Sequence, residues 1–260
     1  MLRFLLINGD SRQVMPYIKT ESIDLIVTSP PYYGIVKYSD SHPEGEIGVT
    51  GTLKQYIHAL TDVFYQCYRV LKPTGLFMLN IDNSKRQDGF PQLSAWEWIP
   101  ILKQLGFKLT QTIIWTDTDR RKLYNPKLLN HHYEPIFILA KTKNYTFHWN
   151  ATQFQGDVWN IQHYRGHDRD KGDIWDRTGI ATFPVALIDQ LIKLGSNPND
   201  TTLDPFAGSG TVMDVSQRLN RNNISIEINL QFCERIMERC FDKNPLNQYR
   251  FLTQSELAKP

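Results

Sequence analysis

The chain has little cysteine, little net charge and no long apolar run. Its 260 residues include three cysteines, Cys67, Cys233 and Cys240, with no CxxC pair. This sparse, odd count argues against a disulfide scaffold and a zinc site, and it favours a reduced, cytoplasmic setting. The apolar run at the N-terminus is too short for a signal peptide, and no run approaches transmembrane length, so no membrane partner is expected. The net charge of +2 neither predicts nor opposes a nucleic-acid partner.

Apolar periodicity predicts strands that alternate with helices. Short apolar runs predict strands at 2–7, 25–28, 76–81, 109–115, 135–140, 202–204 and 224–228. Helical spacing predicts helices at 53–71, 96–105 and 184–194, and a last helix that begins at Leu230. This alternation indicates an α/β fold with a doubly wound, mostly parallel sheet. Residues 142–179 show no sustained period, so we interpret them as an irregular insertion between two parts of one domain, at 1–141 and 180–260.

A glycine-rich loop, "LDPFAGSGTV" at 203–212, follows a predicted strand and opens a predicted helix. Glycines allow a ligand to approach the backbone closely, and a helix N-terminus offers unpaired N–H groups. Glu227 ends the next predicted strand, where a carboxylate can accept hydrogen bonds from ribose hydroxyls. Met213 occupies the third glycine position of the dinucleotide fingerprint, and the Gly-Lys-Ser/Thr of a P-loop is absent. The loop indicates a nucleoside-containing ligand, unless it is only a tight strand–helix turn.

The stretch "IVTSPPYYG" at 26–34 ends an apolar strand with two prolines. Proline lacks the N–H that a strand ladder needs and fixes φ, so the strand cannot continue through Pro30 and Pro31. The corner either terminates an edge strand and does nothing more, or forms the rigid floor of a pocket whose carbonyl groups are aimed before a ligand arrives.

"TSPPY" and "DPFAGSGT" together resemble the catalytic and cofactor motifs of the amino-group DNA methyltransferases that use S-adenosyl-L-methionine. The catalytic motif comes first, which resembles the permuted β class. "NGDS", "YRVLKPTGLFMLNI", "HHYEPIFILAK" and "FPVALIDQLI" are similar to further landmarks, so the resemblance covers nearly the whole chain apart from 142–179. It implies the seven-stranded, Rossmann-like methyltransferase sheet, with 142–179 as a target-recognition insertion and double-stranded DNA as the partner.

The resemblance also implies which residues hold the cofactor. Asp10 is expected at the adenine amino group, Glu227 at the ribose hydroxyls, and Phe183 with Pro184 at the methionine end. Family members often carry a His a few residues before that Phe-Pro, whereas Gly179 stands near that place here. The full implied set is Asp10, Thr28, Phe183, Pro184, Asp204, Pro205, Phe206, Ala207, Gly208, Ser209, Gly210, Thr211 and Glu227.

The same resemblance gives the Ser-Pro-Pro-Tyr corner a chemical role. An exocyclic amine is a poor nucleophile, so acceptors must draw on its N–H groups while it points at the methyl group. Ser29 and the Pro30 carbonyl fit as acceptors, Pro31 helps to fix them, and Tyr32 fits as the ring that stacks on a flipped base. In this family Ser at the first position usually accompanies cytosine-N4, and Asp or Asn accompanies adenine. Cytosine-N4 is therefore expected, with adenine-N6 as the alternative.

Two other functions stay open. Protein glutamine methyltransferases have a similar sheet, but they carry Asn where Ser29 stands and keep the cofactor motif first. A non-catalytic nucleotide-binding module would explain the glycine-rich loop and Glu227, but it would leave the Ser-Pro-Pro-Tyr corner without a purpose.

Two groups of basic residues are candidates for DNA contacts: Arg120, Arg121 and Lys122 in a polar connection, and Arg165, Arg169 and Arg177 in the insertion. The first group suits phosphates, although a solvated charge cluster is the alternative. The insertion mixes Arg, Asn, Gln and Asp, which suits base-edge readout, although a structural loop is the alternative.

Metal and protein partners are less defined by the sequence. His131 and His132 lack a third ligand at a suitable spacing, so no metal site is predicted. A restriction–modification context would imply a companion restriction endonuclease, and the chain shows no separate nuclease domain. Monomer and homodimer both remain open.

Overall fold

The computed structural model describes residues 1–34, 45–49, 51–84, 86–87, 90–117, 129–162, 183–242 and 245–257. The strands are β1 (Arg3–Asn8), β2 (Ile23–Thr28), β3 (Leu71–Asn80), β4 (Arg86–Gln87), β5 (Phe90–Pro91), β6 (Lys108–Thr116), β7 (Tyr133–Ala140), β8 (Val158–Asn160), β9 (Thr201–Asp204), β10 (Asn222–Glu227) and β11 (Gln248–Thr253). The helices are α1 (Ser11–Val14), α2 (Leu53–Val70), α3 (Trp98–Gln104), α4 (Val185–Gly195), α5 (Thr211–Arg218), α6 (Leu230–Cys240) and α7 (Gln254–Leu257). Short 3₁₀ helices lie at Met15–Tyr17, Ala95–Glu97 and Trp149–Ala151.

Among the described residues, nine strands form one mixed sheet in the order β11-β1-β10-β9-β2-β3-β7-β6-β8, and β4 pairs with β5 in a separate hairpin. β7 runs antiparallel to both β3 and β6, while the other pairs in the large sheet are parallel. The predicted α/β fold with a doubly wound, mostly parallel sheet is confirmed. The predicted strands account for its interior, and the two strands that were not predicted, β8 and β11, are its edges.

Helices cover both faces of the sheet because neighbouring strand residues point in opposite directions. Ile26 packs with the core residues of α2 and α3, whereas Val27 packs with those of α4 and α5. A third cluster places α6 against β1 through Phe4 and Leu6. Strands that are buried on both faces have continuous apolar runs, which is why the interior of the sheet was predictable.

The boundary between α2 and β3 differs from the prediction. The helix begins at a capping box between Thr52 and Gln55, and it ends at Val70. β3 already begins at Leu71 and includes Pro73 and Gly75. The sequence predicted that this strand starts at Leu76, after both residues. The register of β2 and β3 shifts here, because Ile23 pairs with Leu71 but Leu25 pairs with Leu76. A bulge therefore accommodates the proline, which cannot pair.

Part of the segment that was predicted to be irregular belongs to the main sheet. β8 pairs with β6, and Trp159 is buried and stacks on Phe154 with ring centroids 4.9 Å apart. The prediction of irregular structure is therefore wrong for Val158–Asn160, and residues 163–182 lie outside the described residues. In the described ranges, no helix has the length and apolar character needed to cross a membrane.

Candidate active site

A cavity opens where the carboxyl ends of the central strands meet. β2 leads to β3 on one side of the sheet centre, and β9 leads to β10 on the other, so the winding direction reverses between the neighbouring strands β2 and β9. Ligands of open α/β sheets bind at such a reversal. The Ser-Pro-Pro-Tyr corner follows β2 and the glycine-rich loop follows β9, so the fold brings both sequence motifs to the same crevice.

Most of the predicted site residues line this cavity. The cofactor set lines it apart from Thr28, Pro184 and Gly210, and Ser29, Pro31 and Tyr32 line it from the catalytic set. Pro30 and Pro184 are buried just outside the lining. The predicted DNA contacts Arg120, Arg121, Lys122, Arg165, Arg169 and Arg177 lie outside the described residues.

Glu227 presents a buried carboxylate that backbone donors hold in place. The Gly208 N–H donates to Oε2 at 2.8 Å, and the Asn229 N–H donates to Oε1 at 2.8 Å. Burial raises the pKa of Glu227 to about 7. Each carboxylate oxygen has more than one acceptor position, so both oxygens can also receive hydroxyl donors from a ligand. This arrangement suits the two hydroxyls of a ribose ring.

Asp204 joins the two halves of the cavity. The Thr28 hydroxyl donates to its Oδ1 at 2.7 Å, and the Phe206 N–H donates to the same oxygen at 3.0 Å. Burial raises the pKa of Asp204 to about 6. Thr28 thus acts on the site through Asp204, since its own side chain does not line the cavity.

The two glycines of the loop have different physical roles. Gly208 has a φ of +52°, and a Cβ added there would meet no described atom within 4 Å beyond its chain neighbours. Gly210 has a φ of +78°, and its added Cβ would lie 2.8 Å from Cγ1 of Ile236 in α6. Gly208 therefore keeps space open beside the cavity, whereas Gly210 permits close packing of α5 against α6. The open cradle at Gly208 and the carboxylate of Glu227 fit a nucleoside cofactor.

Asp10 caps α1 and also forms an ion pair. Its Oδ1 accepts from the Arg12 N–H at 2.9 Å and from Arg12 Nε at 3.0 Å. Hydrogen bonding to Asp10 raises the pKa of the Arg12 guanidinium. Asp10 lines the cavity, so a contact with an adenine amino group would share its carboxylate with Arg12.

The Ser-Pro-Pro-Tyr corner is held from two sides. The Tyr56 hydroxyl of α2 donates to the Pro31 carbonyl at 2.9 Å. The Tyr32 hydroxyl lies 3.1 Å from Ser29 Oγ, 3.0 Å from Asn80 Oδ1 and 3.1 Å from Glu134 Oε2. These contacts fix the Tyr32 ring and place the Ser29 hydroxyl on the cavity wall.

The sequence interpretation missed Asn80, Trp115 and Glu134, which also line the cavity. They lie at the end of β3 and one residue from the end of β6 and from the start of β7, three strands that are neighbours only in the folded chain. Trp115 is 3% exposed and its indole N–H donates to the Ile161 carbonyl at 2.7 Å. Glu134 is 8% exposed, and a lone acid at the start of the apolar run "PIFILA" was the one available signal.

Comparison with known proteins assigns the family. The family model described as "DNA methylase" matches residues 23–238. The chain is 31% identical over 258 residues to the DNA adenine methyltransferase YhdJ of Escherichia coli (strain K12), with 90% of this chain and 81% of that protein covered. It is 28% identical over 273 residues to the Type II methyltransferase M.SmaI of Serratia marcescens, with 90% and 89% covered.

Solved structures show the same fold. A Thermus thermophilus protein, TTHA0409, solved with S-adenosyl-L-methionine, has a TM-score of 0.71 at 21% identity, and the match covers 96% of this chain and 98% of that one. The PvuII DNA methyltransferase, described as cytosine-N4-specific, also has a TM-score of 0.71, at 20% identity with 97% and 89% covered. The fold and site define a methyltransferase that uses S-adenosyl-L-methionine. The chain belongs to the DNA methylase family, whose members methylate exocyclic amino groups of DNA bases.

Proposed function

We propose that this enzyme transfers a methyl group from S-adenosyl-L-methionine to the N4 amine of a cytosine flipped out of double-stranded DNA, at a specific site and alongside a restriction endonuclease. The observation that carries the base assignment is Ser29, a neutral hydroxyl on the cavity wall at the first position of the catalytic corner. The resemblance of the Ser-Pro-Pro-Tyr corner to that of cytosine-N4 enzymes supports the choice. The Type II name of M.SmaI supports the restriction–modification context.

Bound S-adenosyl-L-methionine supplies an electrophilic methyl group on its sulfonium. Glu227 would hold the ribose hydroxyls, and Gly208 would let the backbone approach the ligand. The Ser29 hydroxyl and the Pro30 carbonyl would accept the two amine N–H groups, which draws the nitrogen lone pair out of conjugation with the ring. The rigid prolines make these acceptors a preorganised site, so little reorganisation accompanies the transfer.

The Tyr32 ring would stack on the extruded base. Its hydroxyl is anchored at the cavity floor by the contacts to Asn80 and Glu134, so its ring plane is set before DNA binds. A fixed aromatic face accepts any base, whereas the amine acceptors discriminate between bases. Tyr32 would therefore bind the base, and Ser29 would select it.

Adenine-N6 is the second candidate, because YhdJ is described as a DNA adenine methyltransferase and shares 31% identity with this chain. The same acceptors can address either amine, since both are donor groups attached to an aromatic ring. Under this candidate the cavity would admit the larger purine, with Trp115 and Phe183 as its side walls.

Target recognition is proposed for the insertion at residues 142–179, together with contacts from Arg120, Arg121 and Lys122 to phosphates. Exchanging residues 142–179 for the matching segment of a relative should change the methylated sequence while cofactor binding is retained. An unchanged specificity would contradict this assignment.

The base assignment is tested by nucleoside mass spectrometry of genomic DNA incubated with enzyme and S-adenosyl-L-methionine. N4-methylcytosine is expected, and Ser29→Ala should abolish it while the cofactor still binds. N6-methyladenine would overturn the base assignment, and no methylated nucleoside would overturn the proposed function.

A further inference from the structure

The three polar side chains Ser29, Tyr32 and Glu134 form a continuous line of hydrogen-bonding oxygens that leads from the cavity wall to a buried carboxylate. We propose that this line is a proton relay, in which Glu134 takes up the proton that the target amine loses on methylation. The proposal rests on methyl transfer to an exocyclic amine, and it holds for cytosine or adenine alike.

The spacing suits proton transfer at both steps. The Ser29 hydroxyl donates to Tyr32 Oη at 3.1 Å, and the Tyr32 hydroxyl donates to Glu134 Oε2 at 3.1 Å. Both contacts fall within the heavy-atom reach of about 2.6–3.2 Å for groups that exchange a proton. Glu134 is the second residue of β7, at the end of the strand beside the cavity, and its exposed fraction is 8%. Burying a carboxylate is costly, and such groups in clefts are commonly functional.

The Tyr32 oxygen contacts two acceptors in addition to the Ser29 hydroxyl. Asn80 Oδ1 lies 3.0 Å from the Tyr32 hydroxyl, and it is an acceptor like the Glu134 carboxylate. Tyr32 carries a single proton, so it can serve only one of these two acceptors at a time. If Glu134 gains a proton, it donates to Tyr32 and Tyr32 donates to Asn80. The contacts of the Tyr32 oxygen with Ser29, Asn80 and Glu134 then each carry a hydrogen atom.

The chemical step balances along this line. The amine nitrogen forms a bond to the methyl carbon, and the carbon–sulfur bond breaks with its electron pair left on sulfur. As the N–C bond forms, positive charge develops on the nitrogen, and one N–H bond breaks with its electrons returning to nitrogen. Ser29 Oγ accepts that proton and passes its own to Tyr32, which passes its own to Glu134. Loss of the proton as the N–C bond forms preserves electron density on the nucleophile.

Glu134 does not touch the substrate in this arrangement, so it is a positioning residue that acts through Tyr32. A purely structural alternative is that Glu134 only orients the Tyr32 ring. Tyr32→Phe keeps the stacking ring and removes the oxygen that joins Ser29 to Glu134, so it lowers the rate in either role. The two roles differ in the solvent isotope effect, because only a relay makes the transferred proton part of the slow step.

The test measures single-turnover methyl transfer with saturating DNA and S-adenosyl-L-methionine, in H₂O and D₂O, for the full-length enzyme. Tyr32→Phe and Glu134→Gln should each lower the rate about 10²-fold, at the low end for a general base, while the dissociation constants for DNA and cofactor stay within about threefold. The double variant should be no slower than the slower single variant, because a chain broken once is not made worse by a second break. Tyr33→Phe is the matched control, because that hydroxyl donates to the Gly51 carbonyl away from the line.

The wild-type rate should show a solvent isotope effect that both variants lose. Unchanged rates for Tyr32→Phe, additive losses in the double variant, or weaker DNA binding that accounts for the lower rate would each overturn the relay. If Glu134→Gln fails to fold, the solvent isotope effects of wild type and Tyr32→Phe decide the outcome. If wild-type enzyme methylates adenine, only the base assignment fails, and the same comparison is then made on the adenine product.

Discussion

The two glycines of the cofactor loop, Gly208 and Gly210, provide a matched pair of alanine substitutions. One should mainly lower cofactor affinity, and the other should mainly lower stability. Both residues have positive φ, so an L-residue at either position costs roughly 1–2 kcal/mol in the left-handed region. Gly210→Ala also forces a Cβ to within 2.8 Å of Ile236 Cγ1 and 3.1 Å of its Cγ2. Overpacking of this kind adds about 1–3 kcal/mol. Gly210→Ala should therefore lower the free energy of unfolding by about 2–5 kcal/mol, and Gly208→Ala by about 1–2 kcal/mol.

For cofactor affinity, Gly208→Ala should be the more strongly affected of the two variants. The Gly208→Ala methyl group enters the space that a bound nucleoside would use, so S-adenosyl-L-methionine affinity should fall at least about tenfold, or ~1.4 kcal/mol. Folded Gly210→Ala should bind within about threefold of wild type, because its new contact faces α6. Urea unfolding measures the stability changes, and titration calorimetry measures the affinities. The reasoning is refuted if Gly210→Ala is the less destabilised variant, or if Gly208→Ala binds normally.

Two further predictions concern the buried carboxylates. Lowering the pH from 8 to 6 should raise the cofactor dissociation constant about tenfold, because Glu227, with a pKa of about 7, must be ionised to accept the ribose hydroxyls. Calorimetry at each pH measures this constant. A dissociation constant that stays flat or falls would contradict the prediction. Thr28→Val removes the 2.7 Å hydrogen bond to Asp204 and should lower the free energy of unfolding by about 1–3 kcal/mol. Urea unfolding measures this change. Unchanged stability would be evidence against a role of this bond in holding Asp204.

The centre of the sheet was predictable from sequence because β2, β7 and the second half of β3 are buried on both faces and have continuous apolar runs. The edges were not: β8 has three residues, and β11 alternates exposed with half-buried positions, so neither presents a continuous apolar run. The pairing of Leu71 at the start of β3 was not predicted, because Pro73 and Gly75 normally interrupt a strand. A bulge at this place permits both residues.

The two motifs located the cavity because each is continuous along the chain. Asn80 and Glu134 could not be found in this way, because each is a single polar residue beside an apolar run. Only the antiparallel pairing of β3 with β7 brings their side chains to Tyr32. The sequence therefore predicted a stacking role for the Tyr32 ring, and the structure adds the anchoring of its hydroxyl.

One cavity is expected to hold the cofactor and the flipped base together, and an isotope-partitioning experiment can test this. Enzyme loaded with methyl-labelled S-adenosyl-L-methionine is mixed with DNA and an excess of unlabelled cofactor, and nucleosides are analysed after one turnover. We expect the pre-bound label to appear on cytosine N4. Label on no DNA base would contradict the shared site, and label on adenine N6 would contradict the assignment based on Ser29.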